Sequence, residues 1–164
     1  MRILGIDPGI STTGYGIIEV SGKNLKCLAY GGIHAPAKAA FTQKLDSIYQ
    51  KISEVIQQFQ PDFCAVEDIF YHQNKKTAIV MGHARGVVML AATRQNIPVF
   101  EYSPREVKMS IVGYGAASKT QVQAMVKNIL KMEELAKPID ASDALAVSLC
   151  HYHRMKFHQL TKTL

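Results

Sequence analysis

Residues 2–20 read RILGIDPGISTTGYGIIEV, and this stretch predicts how the fold begins. It consists of a short apolar run that ends in Asp7, a turn with a proline and two glycines at residues 8–14, and a second run rich in β-branched side chains. A glycine-containing turn then leads to a third extended run at residues 25–33. The pattern therefore predicts three strands in an antiparallel meander.

After the meander, helical and extended patterns alternate along the chain. Apolar residues recur at helical spacing over residues 39–59 and 75–95, and a short apolar strand is predicted after each of these helices. Two capping boxes, Ser-x-x-Glu from Ser103 and Ser-x-x-Gln from Ser118, indicate further helix starts, and a last helix follows Pro138.

This order of elements is typical of an α/β domain with a mixed five-stranded central sheet and helices on its faces. The length of 164 residues fits one domain, which we expect to span residues 1–157. The last helix is predicted to end near His153. Residues 158–164 are predicted to form a frayed tail.

The composition is that of an ordinary globular protein, with 48% hydrophobic and 20% charged residues. The three cysteines are odd in number and not closely spaced, so they predict neither a disulfide framework nor a zinc site. The first apolar run is too short for a signal peptide, and no stretch is long enough to span a membrane. These features predict a cytoplasmic protein that does not associate with a membrane.

Positive charge is concentrated in the middle of the chain. The formal net charge is +6, but residues 69–132 contain 9 basic and only 2 acidic residues, whereas residues 133–143 contain 1 basic and 4 acidic residues. A basic surface around an acidic pocket is typical of proteins that bind a polyanion and act on it. The alternative is that these lysines and arginines are solvated residues on helix surfaces.

Four acidic residues stand where strands end or a helix begins. Asp7 and Glu67 each follow a short apolar strand, and Asp140 and Asp143 would project from nearly the same face of the last helix. Converging carboxylates repel one another unless a cation neutralises them, and their hard oxygen ligands suit Mg²⁺ or Mn²⁺. Two such ions can activate a water and stabilise the leaving oxygen of a phosphodiester. Taken singly, each acid could instead be a turn, strand-end or helix-start residue.

Six motifs run in order along nearly the whole chain: Asp7-Pro8-Gly9, Val66-Glu67-x-x-Phe70, Gly82-His83-Ala84-Arg85-Gly86, Tyr102-Ser103-Pro104-x-x-Val107-Lys108, Gly113-Tyr114-Gly115 and Asp140-Ala141-Ser142-Asp143-Ala144-Leu145-Ala146. Together they closely resemble the RuvC family of Holliday-junction resolvases. The resemblance implies an RNase H-like fold and a homodimer that nicks two opposing strands of a four-way DNA junction in recombination and repair. It also implies a branch-migration motor complex as a partner.

The resemblance also implies a metal site. The four family carboxylates fall on Asp7, Glu67, Asp140 and Asp143, which are therefore the candidate catalytic residues and metal ligands. They would hold Mg²⁺, with two ions in each active site, and Mn²⁺ could substitute.

Basic and aromatic residues are candidates for contacts with DNA. The resemblance suggests that Lys108 and Lys119 face the scissile region, where a lysine can hold a phosphate or offset charge that develops at the phosphorus; Lys119 is thus also a candidate catalytic residue. Phe70 could stack on a base unpaired at the junction centre or be a core residue, and Tyr114 could contact DNA or pack. Further candidates for contacts with the DNA backbone are Arg105, Lys75, Lys76 and Arg85.

The predicted helix over residues 75–95 is apolar on more than one face, so one face can cover the sheet and another needs a partner. Ala78, Gly82 and Gly86 lie four residues apart, which allows a second helix to approach closely. We therefore expect a two-fold dimer interface on this helix. The alternative is a helix enclosed within one subunit.

The main hypothesis is thus a Mg²⁺-dependent crossover junction endodeoxyribonuclease that hydrolyses DNA phosphodiesters with metal-activated water. A second hypothesis is an ATPase, because Asp7-x-Gly9-x-Ser11-Thr12 also resembles the phosphate loop of sugar kinases and actin-like ATPases, although 164 residues supply only one of the two lobes of those folds. A third is a non-catalytic protein that binds branched DNA, which leaves the four acids unexplained.

Overall fold

The computed structural model describes residues 1–68 and 75–161, which contain five strands and five helices. The strands are β1 (Arg2–Asp7), β2 (Thr12–Ser21), β3 (Asn24–His34), β4 (Phe63–Glu67) and β5 (Val99–Tyr102). The helices are α1 (Phe41–Phe59), α2 (Lys75–Arg94), α3 (Pro104–Val112), α4 (Lys119–Ile129) and α5 (Ile139–Thr161). None of the helices in these described ranges is both long and apolar enough to cross a membrane.

The five strands form one sheet in the order β3-β2-β1-β4-β5. The first three are joined by short turns and pair antiparallel, as the sequence pattern predicts. β4 and β5 lie on the other side of β1 and run parallel to it, because a helix connects each of them to the preceding strand. The predicted mixed five-stranded sheet is confirmed.

Alternating side chains of the sheet form two separate cores. Leu4 and Ile6 point to one face, which α1 and α2 cover, and Ile3 points to the other face, which α5 covers. α3 and α4 pack against α5 and complete that layer. Burying each of these large aliphatic side chains stabilises the fold by about 1.5–3 kcal/mol. The arrangement leaves the carboxyl ends of β1 and β4 at the edge where α5 begins.

α5 is longer than the sequence analysis predicts. Its buried part ends at Tyr152, near the predicted end at His153, but the helix continues to Thr161. The sequence after Pro138 contains neither glycine nor proline, so no residue there stops the helix. Residues 158–161, predicted to belong to a frayed tail, are therefore helical and exposed, and residues 162–164 lie outside the described ranges.

Candidate functional site

Close contact between α5 and the sheet brings the start of α5 to the end of β1. Asp7, the last residue of β1, pairs with Gly14 of β2. A Cβ atom on Gly14 would lie 2.0 Å from the carbonyl oxygen of Asp140, and a Cβ atom on Gly5 would lie 2.0 Å from that of Ala144. Any larger residue at either position would push α5 away. The glycines thus set the distance between the helix and the strand that ends in Asp7.

The four predicted carboxylates, those of Asp7, Glu67, Asp140 and Asp143, line one open cleft of about 750 Å³. Asp7 and Glu67 end two neighbouring parallel strands, so their side chains lie next to each other. Asp140 lies in the first turn of α5, and Asp143 follows one turn later on the same side. The structure therefore brings together side chains that are up to 136 positions apart in the sequence.

The electrostatics of the cleft are those of crowded, partly buried acids. Burial and, in decreasing order, the nearby carboxylates of Glu67, Asp143 and Asp140 together raise the pKa of Asp7 to about 8. Burial and the charge of Asp143 also raise the pKa of Glu67, while its hydrogen bond with Asp7 and the charge of Lys119 oppose this change. Burial and crowding thus make the ionised form of Asp7 unfavourable in the folded protein.

The Lys119 ammonium enters the cleft from α4. Ser118 caps this helix, because its hydroxyl accepts a hydrogen bond from the Gln121 N–H, and so Lys119 is the first helical residue. Its Nζ donates a 2.9 Å hydrogen bond to Asp143, whose carboxylate is only 14% exposed. This hydrogen bond raises the pKa of Lys119, so the ammonium stays charged beside the acids.

The donor set of the cleft fits a hard divalent cation. Four carboxylates line one cleft, and a doubly charged ion bound to their oxygens would relieve the repulsion that helps to raise the pKa of Asp7. Among residues 1–68 and 75–161, however, no three His, Cys, Asp or Glu side chains lie close enough to enclose a metal ion. The described acids therefore line the cleft without forming a closed ligand cage.

Basic residues form one wall of the cleft. Arg105 and Lys108 of α3 line it together with Lys119. Lys75 and Lys76 lie at the exposed start of α2 and are not among the residues that line it. Three of the basic residues predicted to contact DNA are thus brought together beside the four acids.

The two aromatic candidates have different outcomes. Phe70 lies outside the described residues, so its stacking role stays a prediction. Tyr114 lies in the turn between α3 and α4 and is 63% exposed, and its neighbour Gly115 lines the cleft. Gly113, with φ of 78°, ends α3 in the left-handed conformation and turns the chain toward Tyr114. This exposure disfavours the alternative in which Tyr114 packs, and its contact with DNA stays a prediction.

Arg85 is on the other side of the sheet from the acids. Its guanidinium forms ion pairs with Glu101 of β5 and, at 3.2 Å, with Asp68 directly after β4. Its Nη2 is therefore directed at two carboxylates within the protein. We do not include Arg85 among the proposed contacts with the DNA backbone.

Two hydroxyls that support the cleft are not indicated by the sequence analysis. Thr13 is fully buried, and its hydroxyl donates a 2.7 Å hydrogen bond to the carbonyl oxygen of Gly9, which ties the turn after Asp7 to β2. Thr12 lines the cleft, and its hydroxyl lies 3.1 Å from Nδ1 of His34. A hydroxyl residue four positions after a turn glycine is the signal that could have indicated the role of Thr13.

Comparison with known sequences identifies close relatives over the full length of the chain. The model of the family described as crossover junction endodeoxyribonuclease RuvC matches residues 3–151. The chain is 47% identical over 162 residues to the crossover junction endodeoxyribonuclease RuvC of Finegoldia magna, with 99% of both chains covered. It is 52% identical over 151 residues to that of Natranaerobius thermophilus, with 92% of this chain and 94% of the relative covered.

Solved structures agree with the sequence comparison. The fold matches Thermus thermophilus RuvC in complex with a Holliday junction substrate with a TM-score of 0.91 and 32% identity, over 96% of each chain. The yeast mitochondrial Holliday junction resolvase Ydc2 matches with a TM-score of 0.63 at 14% identity, over 99% of this chain and 86% of the other, which shows a shared fold only. The predicted RNase H-like fold is confirmed by the first of these matches.

Proposed function

The chain belongs to the RuvC family of crossover junction endodeoxyribonucleases, and from this premise we propose that it resolves four-way DNA junctions by nicking two opposing strands. The observation that carries this proposal is the cleft in which four acids lie beside a wall of three basic residues. The basic wall suits the phosphates of the substrate, and the acids suit the ion that hydrolysis of a phosphodiester needs.

We propose that Asp7, Glu67, Asp140 and Asp143 hold Mg²⁺, two ions per site, and that Mn²⁺ can substitute. Bound ions of this kind lower the pKa of a coordinated water and stabilise the leaving oxygen. The high pKa of Asp7 supports the proposal, because a cation would keep this carboxylate ionised and available as a ligand. Lys119 would leave Asp143 when ions bind, and its ammonium could then offset negative charge at the scissile phosphate.

Arg105 and Lys108 are proposed to contact phosphates of the bound strand, because both line the cleft next to the acids. The exposed positions of Lys75 and Lys76 would suit more distant phosphates of the junction arms. Contacts to phosphates position DNA without selecting a base, so these residues account for affinity and orientation rather than for sequence preference.

A homodimer is proposed on the exposed face of α2. Ile79 and Leu90 are 62% and 52% exposed on this helix, although both are large apolar residues. Between them, Gly82 and Gly86 are exposed, and none of the described residues outside their own helix lies within 4 Å of where a Cβ would be; Ala78 is half-buried. Such an apolar face with small residues allows the same helix of a second subunit to pack closely. Two subunits would carry the two cuts that symmetric resolution needs.

The alternative functions have less support. The 99% coverage of both chains in the match with the Finegoldia magna nuclease disfavours a lobe of an actin-like or sugar-kinase-like ATPase. A non-catalytic binder of branched DNA would have no use for four acids in one cleft. Partnership with a branch-migration motor complex rests on the family alone. A cytoplasmic location is proposed because the three cysteines are free, as a reducing compartment requires.

Strand-resolved cleavage tests the proposed activity. A synthetic four-way junction labelled in turn on each strand is incubated with the protein and Mg²⁺, beside a linear duplex and an EDTA control. We expect paired nicks on two opposing strands of the junction, little cutting of the duplex and none in EDTA. Tight junction binding without any cutting, with Mn²⁺ as well as Mg²⁺ and across several junction sequences, would instead support the non-catalytic binder.

A further inference from the structure

Arg85 contacts the end of β4 from the face opposite the carboxylate cleft. The parallel register pairs Val66 with Glu101 and Glu67 with Tyr102. Because side chains alternate along a strand, Glu67 faces α5 and the cleft, whereas Glu101 faces α2. The Arg85 guanidinium reaches from α2 to this second face and forms an ion pair with Glu101.

The same guanidinium holds the residue that follows Glu67. Its Nη2 lies 3.2 Å from Oδ1 of Asp68, and the Asp68 N–H donates a 2.8 Å hydrogen bond to the carbonyl oxygen of Tyr102. Asp68 is thus fixed by its main chain to β5 and by its side chain to α2. Since Asp68 is the next residue, these contacts restrict the backbone position and side-chain direction of Glu67.

The contact is more than a surface ion pair. The Arg85 side chain is 23% exposed, and its Nε is buried without a hydrogen-bond partner among the residues the structure describes. Both ion pairs involve Nη2, whose two N–H groups are fixed in the guanidinium plane, so this one nitrogen can hold two carboxylates in a geometry that a rotating lysine ammonium does not define equally well. Removing it would leave Asp68 and Glu101 without this partner close to an already acidic cleft.

We propose that Arg85 is a positioning residue for the metal site: by tying Asp68 and Glu101 to α2, it holds the end of β4 so that Glu67 points into the cleft. This inference rests on the proposed function, because it takes Glu67 as a metal ligand. Arg85 itself is not among the residues that line the cleft. It would also connect the metal site with α2, the helix on which the dimer interface is proposed.

Metal binding provides the direct test. The dissociation constant of Mn²⁺ is measured by electron paramagnetic resonance for the wild type and for Arg85→Gln, without DNA. Loss of a residue that orients a ligand typically weakens metal binding about 10–100-fold, and we expect a change in this range. Junction binding in EDTA should change by less than about threefold, because Arg85 is not proposed to contact a phosphate.

Arg2 offers a matched control. It bridges β1, β2 and α1 through Glu19 at 3.2 Å and the carbonyl oxygen of Phe59 at 2.8 Å, at the end of the sheet remote from the cleft. Arg2→Gln and Arg85→Gln should both lower the melting temperature, because each removes an ion pair. Arg2→Gln should nevertheless leave the dissociation constant of Mn²⁺ within about twofold of the wild type. A purely structural role of Arg85 predicts instead that both variants affect Mn²⁺ binding equally.

Other outcomes are equally informative. Unchanged Mn²⁺ binding by folded Arg85→Gln would overturn the proposal, and weaker junction binding in EDTA with unchanged Mn²⁺ binding would identify Arg85 as a DNA contact. If Arg85→Gln does not fold, Glu101→Gln replaces it, because this variant keeps the ion pair between Arg85 and Asp68. It should weaken Mn²⁺ binding by a smaller factor, and unchanged Mn²⁺ binding would reject the proposal. Failure of the proposed function can be distinguished from failure of the proposed role of Arg85, since in the first case the wild type itself would cut no junction.

Discussion

Replacing Asp7 by asparagine is expected to abolish junction cleavage and, in the metal-free protein, to stabilise the fold. Burial and three neighbouring carboxylates raise the pKa of Asp7 to about 8, so its ionised form is unfavourable in the folded protein. Asparagine has nearly the same shape, carries no charge and can still donate a hydrogen bond to Glu67, as protonated Asp7 does. The variant therefore loses a metal ligand and a source of repulsion together.

The magnitude follows from the difference in pKa between the folded and unfolded chain. A tenfold change in the acid constant corresponds to about 1.4 kcal/mol, so a pKa of about 8 rather than 3.8 destabilises the fold by up to about 5 kcal/mol at pH 7.5. Water in the open cleft screens part of the repulsion. We therefore expect Asp7→Asn to raise the free energy of unfolding by about 1–3 kcal/mol. For a chain of this length the melting temperature should rise by about 3–10 °C.

The sign of the pH dependence gives a sharper test. The folded protein holds the Asp7 proton more tightly than the unfolded chain, so Asp7 contributes a loss of stability that grows as pH rises from about 4 to about 8. The gain in melting temperature from Asp7→Asn should therefore be larger at pH 8 than at pH 5, in EDTA. Asp46→Asn, at an exposed site on α1, is the control and should show no such trend. A destabilised Asp7→Asn at pH 8 would refute this reasoning.

Four further changes have distinct expected results. Lys119→Ala should lower the rate of cleavage about 10²–10³-fold, because its ammonium is proposed to offset negative charge at the phosphate. Junction binding in EDTA should change little, and an equal loss of binding and rate would contradict this role. Gly14→Ala should weaken Mn²⁺ binding and cost about 1–3 kcal/mol of stability, since its Cβ would meet the carbonyl oxygen of Asp140 at 2.0 Å, and calorimetry with metal titration measures both. Gly82→Leu should give a folded monomer in sedimentation experiments, because, apart from its own helix, none of the described residues lies within 4 Å of a Cβ at that position. A stable dimer would place the interface elsewhere. Tyr114→Ala should weaken junction binding about fivefold or more if the exposed ring stacks on a base, with Tyr114→Phe near the wild type, and equal effects of both would argue against stacking.

Much of the fold follows from local sequence patterns. The turn after Asp7 and the alternation around it predict the meander, and the helical period before Phe63 predicts a parallel crossover strand, because hairpin and crossover connections leave few ways to order a sheet. The end of α5 is predicted less well. Loss of apolar periodicity after His153 indicates an end, but a helix without glycine or proline continues past its buried part.

Some residues of the site can likewise be predicted from the sequence, whereas others cannot. Asp7 and Glu67 can be found from sequence because each ends an apolar strand, where a carboxylate is costly unless it has a partner. Arg85 cannot be assigned in this way, because its partners Asp68 and Glu101 are 17 and 16 positions away and meet it only through the register of β4 and β5. The close approach of Gly14 to the backbone of Asp140 cannot be predicted from the sequence either, since it depends on how α5 packs on the sheet.

The most direct test of the account is the position of Mn²⁺ in crystals of the protein soaked with this ion. Anomalous scattering identifies manganese directly, and we expect peaks in the cleft with carboxylate oxygens of Asp7 and Glu67, and of Asp140 or Asp143, about 2.0–2.3 Å away. The Lys119 ammonium should at the same time have moved away from Asp143. Peaks elsewhere, or none in crystals of a protein that cuts junctions, would contradict the claim that these four acids form the metal site.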